Sequence, residues 1–234
     1  MKRYIGLCFL ILIFVFDAHA QQMGFGVKGG LLVGTQRSKR ALISYHGDLV
    51  FESMGKWQGE NTPRRLGFVA QLGYHRRGAS YNSGFFGTNT FVVNDLFHNI
   101  SLAALLKGNF KISESFLPYY AAGVRLDATV ASDVVNNLDA QGVTPINFGF
   151  WLGGGIDWEP PKLPFGLFFE LNISPDVTPQ VFFMRGTQVQ YVDPFRSTTS
   201  VRTFNEDYRI INLSIELTFG IKFIVRKEIE PEEM

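Results

Sequence analysis

The chain is almost without cysteine. Cys8 is the only one in 234 residues, and it lies in an apolar N-terminal stretch that is expected to be removed. The remainder then has no thiol for a disulfide, a thiolate metal site or a cysteine nucleophile. A lipid anchor on Cys8 is not expected, because about seven residues precede it and a lipoprotein box must follow an apolar region. Net charge is equally scarce. Beyond residue 20 the chain carries twenty basic and twenty acidic side chains, so no overall field recruits nucleic acid, and no nucleic-acid partner is expected. Long apolar runs are missing too: after residue 20 none approaches the roughly 20 residues of a helical membrane span. If this part crosses a membrane, it does so as strands. No nucleophile elbow, phosphate loop, paired-histidine metal helix or dinucleotide fingerprint occurs, and neither a cofactor nor a metal is expected.

The first twenty residues read as an export signal. Lys2 and Arg3 supply the positive start, Tyr4 to Phe16 the apolar stretch, and Ala18-His19-Ala20 a small-x-small cleavage site. Residues 1–20 are therefore expected to be cleaved, leaving Gln21 as the first residue. Residues 21–225 form one expected domain and 226–234 a polar, acidic tail on the periplasmic side.

An alternation of period two dominates that domain. In the last segment Ile211, Leu213, Ile215, Leu217, Phe219, Ile221 and Phe223 alternate with Asn212, Ser214, Glu216, Thr218, Gly220 and Lys222. One face is apolar, the other polar or glycine, over more than the roughly 9–11 residues that a tilted strand needs to cross a bilayer. The pattern recurs around 25–33, 66–75, 99–110, 119–128, 148–159 and 165–174, and an eighth strand is expected over 41–53. Gly153-Gly154-Gly155 falls inside a strand, where it fits curvature or a bulky neighbour.

Apolar-faced strands in hydrocarbon must pair every backbone group, so they must close on themselves. The expected fold is all-β, a transmembrane up-and-down antiparallel barrel of eight strands in the cell outer membrane. Lys111 to Phe116, Pro160 to Pro164 and Gly55 to Pro63 would turn on the periplasmic side. Ser132 to Thr144 and Val181 to Glu206 would be longer outer loops. A barrel this narrow is filled by its own side chains. Lys28, Asp48, Glu52, Lys107, Arg125, Asp127, Asp157, Glu170, Glu216 and Lys222 point inward and are expected to form a compensated polar network; a proton or ion path is the alternative.

Trp57, Tyr74, Tyr81, Phe110, Tyr119, Trp158, Phe165 and Phe223 suit aromatic girdles at the two interfaces. In the last outer loop Phe182, Phe183, Tyr191, Phe195 and Phe204 sit with Arg185, Arg196 and Arg202 within 26 residues. That mixture suits a partner surface, or a loop folded back over the barrel mouth. Arg37, Lys39 and Arg40, with Arg76 and Arg77, are expected at the outer rim, where they could pair with phosphates of lipopolysaccharide and other outer-membrane lipids. Ser44, His46 and Asp48 share an inward face and invite a catalytic reading. Alternate residues lie about 6.5–7 Å apart along a strand, too far for Ser-His contact without cross-strand help, so no enzyme is expected.

Phe25-Gly26-Val27-Lys28-Gly29-Gly30, Ala103 to Gly108, Pro118 to Gly123, Trp151 to Asp157 and the closing strand resemble the PorT-like outer-membrane β-barrel family. The resemblance implies a small eight-stranded barrel and a role accessory to type IX protein secretion or gliding, with other outer-membrane or periplasmic secretion components as partners. The alternatives are a barrel that binds a surface ligand or glycolipid, a lipid-modifying enzyme, or a narrow channel.

Overall fold

Alternation becomes sidedness because successive side chains of a strand point to opposite faces. The computed structural model describes residues 22–36, 39–59, 63–85, 89–134, 137–192 and 199–226. Residues 1–20, expected to be an export signal, together with Arg37, Phe195, Arg196 and the residues beyond Arg226, lie outside them. Seven strands run in order: β1 (Gln22–Gln36), β2 (Leu42–Met54), β3 (Arg64–Phe85), β4 (Asn89–Phe110), β5 (Phe116–Asp133), β6 (Ile146–Trp158) and β7 (Phe165–Pro175). A short helix α1 (Asn137–Gln141) lies between β5 and β6. Four short strands follow, β8 (Val181–Phe183), β9 (Gln188–Val192), β10 (Thr199–Thr203) and β11 (Tyr208–Ile210), before β12 (Asn212–Arg226).

Strands β1 to β7 and β12 form a closed antiparallel barrel of eight strands. The ring is completed by β12, which pairs with β7 on one side and with β1 on the other. The expected strand over 41–53 is β2. Large apolar side chains face out: Leu49, Leu66, Leu106 and Phe219 are each more than half exposed, from 58% to 63%. Polar side chains of the same strands are buried, among them Glu216 and Lys222. That is the reverse of a water-soluble core.

Gly155 and Gly149 are two of the glycines that make room in the narrow lumen. A Cβ at Gly155 would lie 2.9 Å from the Tyr119 hydroxyl, and one at Gly149 2.9 Å from an Arg125 Nη. Each missing side chain admits the neighbouring strand's backbone, Phe169 O at Gly155 and Pro175 O at Gly149, together with a large polar side chain.

Two expectations change at the outer end. β3 and β4 are 22 residues each and pair from Arg64↔Phe110 to Phe85↔Asn89. β2 pairs with β3 only up to His46↔His75, and β5 with β4 only up to Asp133↔Leu96, so this hairpin outruns the ring. Its far half mixes Gly, Ser, Asn and aromatics without a period, yet the backbone ladder continues. The outer segment over 181–206 is also more than a loop: β8 pairs with β11, and β9 with β10. Together with Phe97 of β4 and Phe204 just past β10, these strands build a small apolar cluster of Val181, Phe183, Val189 and Ile210 that caps the barrel.

Candidate functional site

The lumen is packed with charge in layers. At the end carrying the turns after β2, β4 and β6, Lys222 Nζ lies 3.0 Å from Glu52, 3.0 Å from Asp157 and 2.7 Å from Glu159. Lys107 Nζ is 2.7 Å from both Glu52 and Asp157. Arg65 completes the layer, 2.9 Å from Glu159. Three carboxylates meet three cations. Above them Lys28 pairs with Glu170 at 2.8 Å, and the Tyr119 hydroxyl donates to the same carboxylate at 2.8 Å. Val50, Val69, Leu105, Trp151 and Phe168 fill the space around this pair, leaving a cavity of about 20 Å³, room for about one water molecule.

The outer layer holds Asp48, Asp127, Asp176 and Glu216 with Arg77 and Arg125, and between them His46 and His75. Arg125 Nε donates to Asp127 at 2.8 Å, and an Nη of Arg125 binds Asp176. Arg77 reaches Asp127 at 3.2 Å, Asp176 at 3.3 Å and Glu216 at 3.2 Å. His46 and His75 stand opposite each other in the β2–β3 ladder. Asp48 bridges them: one oxygen is 2.9 Å from His46 Nδ1, the other 2.8 Å from His75 Nε2. His46 Nε2 faces the Thr218 hydroxyl at 3.1 Å. His75 Nδ1 faces Arg77 at 3.1 Å.

Lys28, Asp48, Lys107, Arg125, Asp127, Asp157, Glu170, Glu216 and Lys222, together with Glu52, are thus all in the lumen. The expected network did not include Arg65, Glu159 and Asp176, which lie at or just past strand ends, and His46, expected on the inward face, was not expected to stand opposite His75. Arg77 is a correction. It was expected at the rim, but it continues the inward parity of His75 and is completely buried. Tyr119 is another: it points into the lumen, not to an interfacial girdle.

The rim is sparser than expected. Lys39 is bound to Asp95 at 2.6 Å, whereas Arg40 is exposed. Arg76 points outward with its guanidinium 5.8 Å from the Tyr45 ring centre and has no ion-pair partner among the described residues. Nearby on the outer wall, the Tyr74 hydroxyl meets His98 Nδ1, and His98 Nε2 lies 3.0 Å from Asp133. The Ser44–His46–Asp48 set does not assemble for catalysis: the Ser44 hydroxyl donates to the carbonyls of Arg76 and Leu32 rather than to His46.

In the cap, Phe183 and Phe204 are buried and stacked, with centroids 4.6 Å apart. Arg202 lies over Phe204, and Arg209 covers Phe182 at 5.4 Å. Arg185 is exposed. Tyr191 lies in β9, opposite Ser200. The Tyr208 hydroxyl points at Asp139 from 3.5 Å. Burial pushes the Asp139 carboxyl up, and burial with the Asp139 charge pushes the Tyr208 phenol up. Asp207 is held below the ordinary carboxylate range by the backbone N–H of Arg185 and by Arg209.

No family model matches the chain. No curated protein matches it either. Solved structures do resemble it in fold. The attachment invasion locus protein Ail of Yersinia pestis is 9% identical, with 87% of this chain and 99% of that one covered and a TM-score of 0.39. The outer membrane protein OprG of Pseudomonas aeruginosa is 13% identical, with 89% and 98% covered and a TM-score of 0.44. The outer membrane protease OmpT of Escherichia coli is 12% identical, with 88% and 97% covered and a TM-score of 0.43.

Proposed function

We propose that this chain is a non-enzymatic barrel of the bacterial outer membrane that serves as a structural or interaction component, accessory to type IX protein secretion. The membrane placement is supported by the apolar outer wall and by closure, which leaves no open strand edge around the ring for lipid to solvate. The observation that carries the interaction role is the plugged lumen beneath a folded cap. Ion pairs fill the interior, so the surface offered to a partner is outside it. The cap presents Met184 and Val201, 64% and 58% exposed, beside Arg185 and Arg202. Apolar side chains rimmed by arginine suit a protein contact. A photo-crosslinking residue at Val201 should trap a secretion subunit in intact cells, and deletion of the gene should change the set of secreted proteins. An unchanged secreted set removes the secretion role.

A second reading, contact with glycolipid phosphates, is favoured by Arg76, whose guanidinium lies over the outward-facing Tyr45 ring and has no ion-pair partner among the described residues. With Arg40→Gln and Arg76→Gln together, less lipopolysaccharide should copurify; equal amounts would remove this reading.

A further inference from the structure

The outer lumen layer is short of positive charge. The inner layer sets Glu52, Asp157 and Glu159 against Lys107, Lys222 and Arg65, and Lys28 balances Glu170. The outer layer sets four carboxylates, Asp48, Asp127, Asp176 and Glu216, against only Arg77 and Arg125. All six are buried. Two negative charges are left over unless the imidazoles of His46 and His75 are both protonated, and uncompensated buried charge is costly.

The hydrogen bonds around His75 argue that its ring is neutral, and those around His46 fit a neutral ring as well. An ionised carboxylate only accepts, so Asp48 accepts one hydrogen bond from His46 Nδ1–H and another from His75 Nε2–H. A guanidinium only donates, so the Arg77 nitrogen 3.1 Å from His75 Nδ1 meets a lone pair. The Thr218 hydroxyl, 3.1 Å from His46 Nε2, is free to donate in the same way. Each ring therefore offers one lone pair, and one carboxylate holds both rings from behind. That is the arrangement in which metal-binding histidines are fixed by an acid on their far nitrogen.

A third donor faces the same space. Glu216 is fully buried, and its Oε2 has no hydrogen-bond partner among the described residues. His46, His75 and Glu216 each bring a ligand atom within 4.8 Å of the other two.

We propose that the outer lumen layer is a binding site for one divalent transition-metal ion, with His46, His75 and Glu216 as ligands and Asp48 as the residue that fixes both rings. Two imidazoles and a carboxylate suit ions of the zinc and cobalt class. Tetrahedral zinc places its ligands about 3.3 Å apart, so the set closes by small side-chain rotations. Arg77 withdraws from His75 and Glu216 as the ion arrives and keeps Asp127 and Asp176, 3.2 and 3.3 Å from its other terminal nitrogen. The double positive charge then cancels the excess. The site stands on the lumen alone and does not depend on the secretion role.

The test uses the folded protein in detergent micelles, stripped with chelator and titrated with Co²⁺. The wild type should develop visible ligand-field absorption that saturates at one equivalent and is abolished by Zn²⁺. His75→Gln and Glu216→Gln should each weaken cobalt binding at least tenfold, and Asp48→Asn by about 10- to 100-fold. His98→Gln, on the outer wall, should bind as the wild type does. Because the wild-type titration stands without any variant, a misfolded substitution does not decide the matter. The proposal is overturned if the wild type shows no cobalt absorption, or if that absorption persists at full strength in His46→Gln/His75→Gln.

Discussion

The ammonium of Lys222 stands 3.0 Å from the carboxylate of Glu52, joining β12 to β2 through the lumen with β1 between them in the wall. The same ammonium contacts Asp157 and Glu159, so one side chain touches all three acids of its layer. Removing one partner of a buried ion pair leaves the other stranded, at about 3–5 kcal/mol. Lys222→Met should therefore lower the unfolding free energy, extrapolated from urea titrations in micelles, by an amount of that order and move the midpoint down with it. Adding Glu52→Gln removes one stranded charge and should restore part of the loss. A midpoint that does not move for Lys222→Met means that water or salt ions already neutralise these acids.

The membrane reading makes an opposite demand on the neighbouring wall. Phe219, 58% exposed, faces out near the middle of β12, whereas Thr218 beside it is buried. An arginine on the lipid face costs about 2–4 kcal/mol near the bilayer centre. Phe219→Arg should destabilise the barrel by that much when unfolding is followed in liposomes. A surface position in water would tolerate the change within about 0.5 kcal/mol.

Parity was legible from sequence because a wall between lipid and a polar lumen imposes period two on each strand. β12 shows this, with Leu217 and Phe219 outside and Glu216 and Thr218 inside. Two kinds of feature were not legible. The outer halves of β3 and β4 carry no period-two pattern in their sequence, so Arg77 was read as rim although its parity was inward. Partnership between strands depends on register, which no single segment contains; this hid the His46–His75 pair. Spacing along a strand also underestimates side-chain reach. His46 and Asp48 are two residues apart on β2, yet their side chains meet at 2.9 Å.

The cap should be separable from the barrel. Phe204 stacks on Phe183 in a cluster whose buried members, among the described residues, include just Phe97 from the ring strands. Truncating a buried phenylalanine costs about 3–5 kcal/mol, a large share for a cluster this small. Phe204→Ala should open residues 181–210 to limited proteolysis while the barrel keeps its heat-dependent shift in gel migration. Loss of that shift would mean that barrel and cap fold as one unit.

Acid should tighten part of this cap. Asp139 titrates above its ordinary value of 3.8 because burial disfavours its charge. Between the unfolded and folded values the folded form binds more protons, so stability rises as pH falls through the folded value and levels off below the unfolded one. Asp207 has the opposite sign: the Arg185 N–H and Arg209 hold its carboxyl down, so its contribution is present above the ordinary range and is lost only as pH falls through the lowered value. Hydrogen exchange, corrected for the intrinsic rate at each pH, should show greater protection of the amide of Gly142, which donates to the Asp139 carbonyl at 3.1 Å, at about pH 4.5 than at pH 7. Asp139→Asn should abolish that difference. A dependence of the reverse sign, or one that survives Asp139→Asn, would show that another group governs this end of the cap.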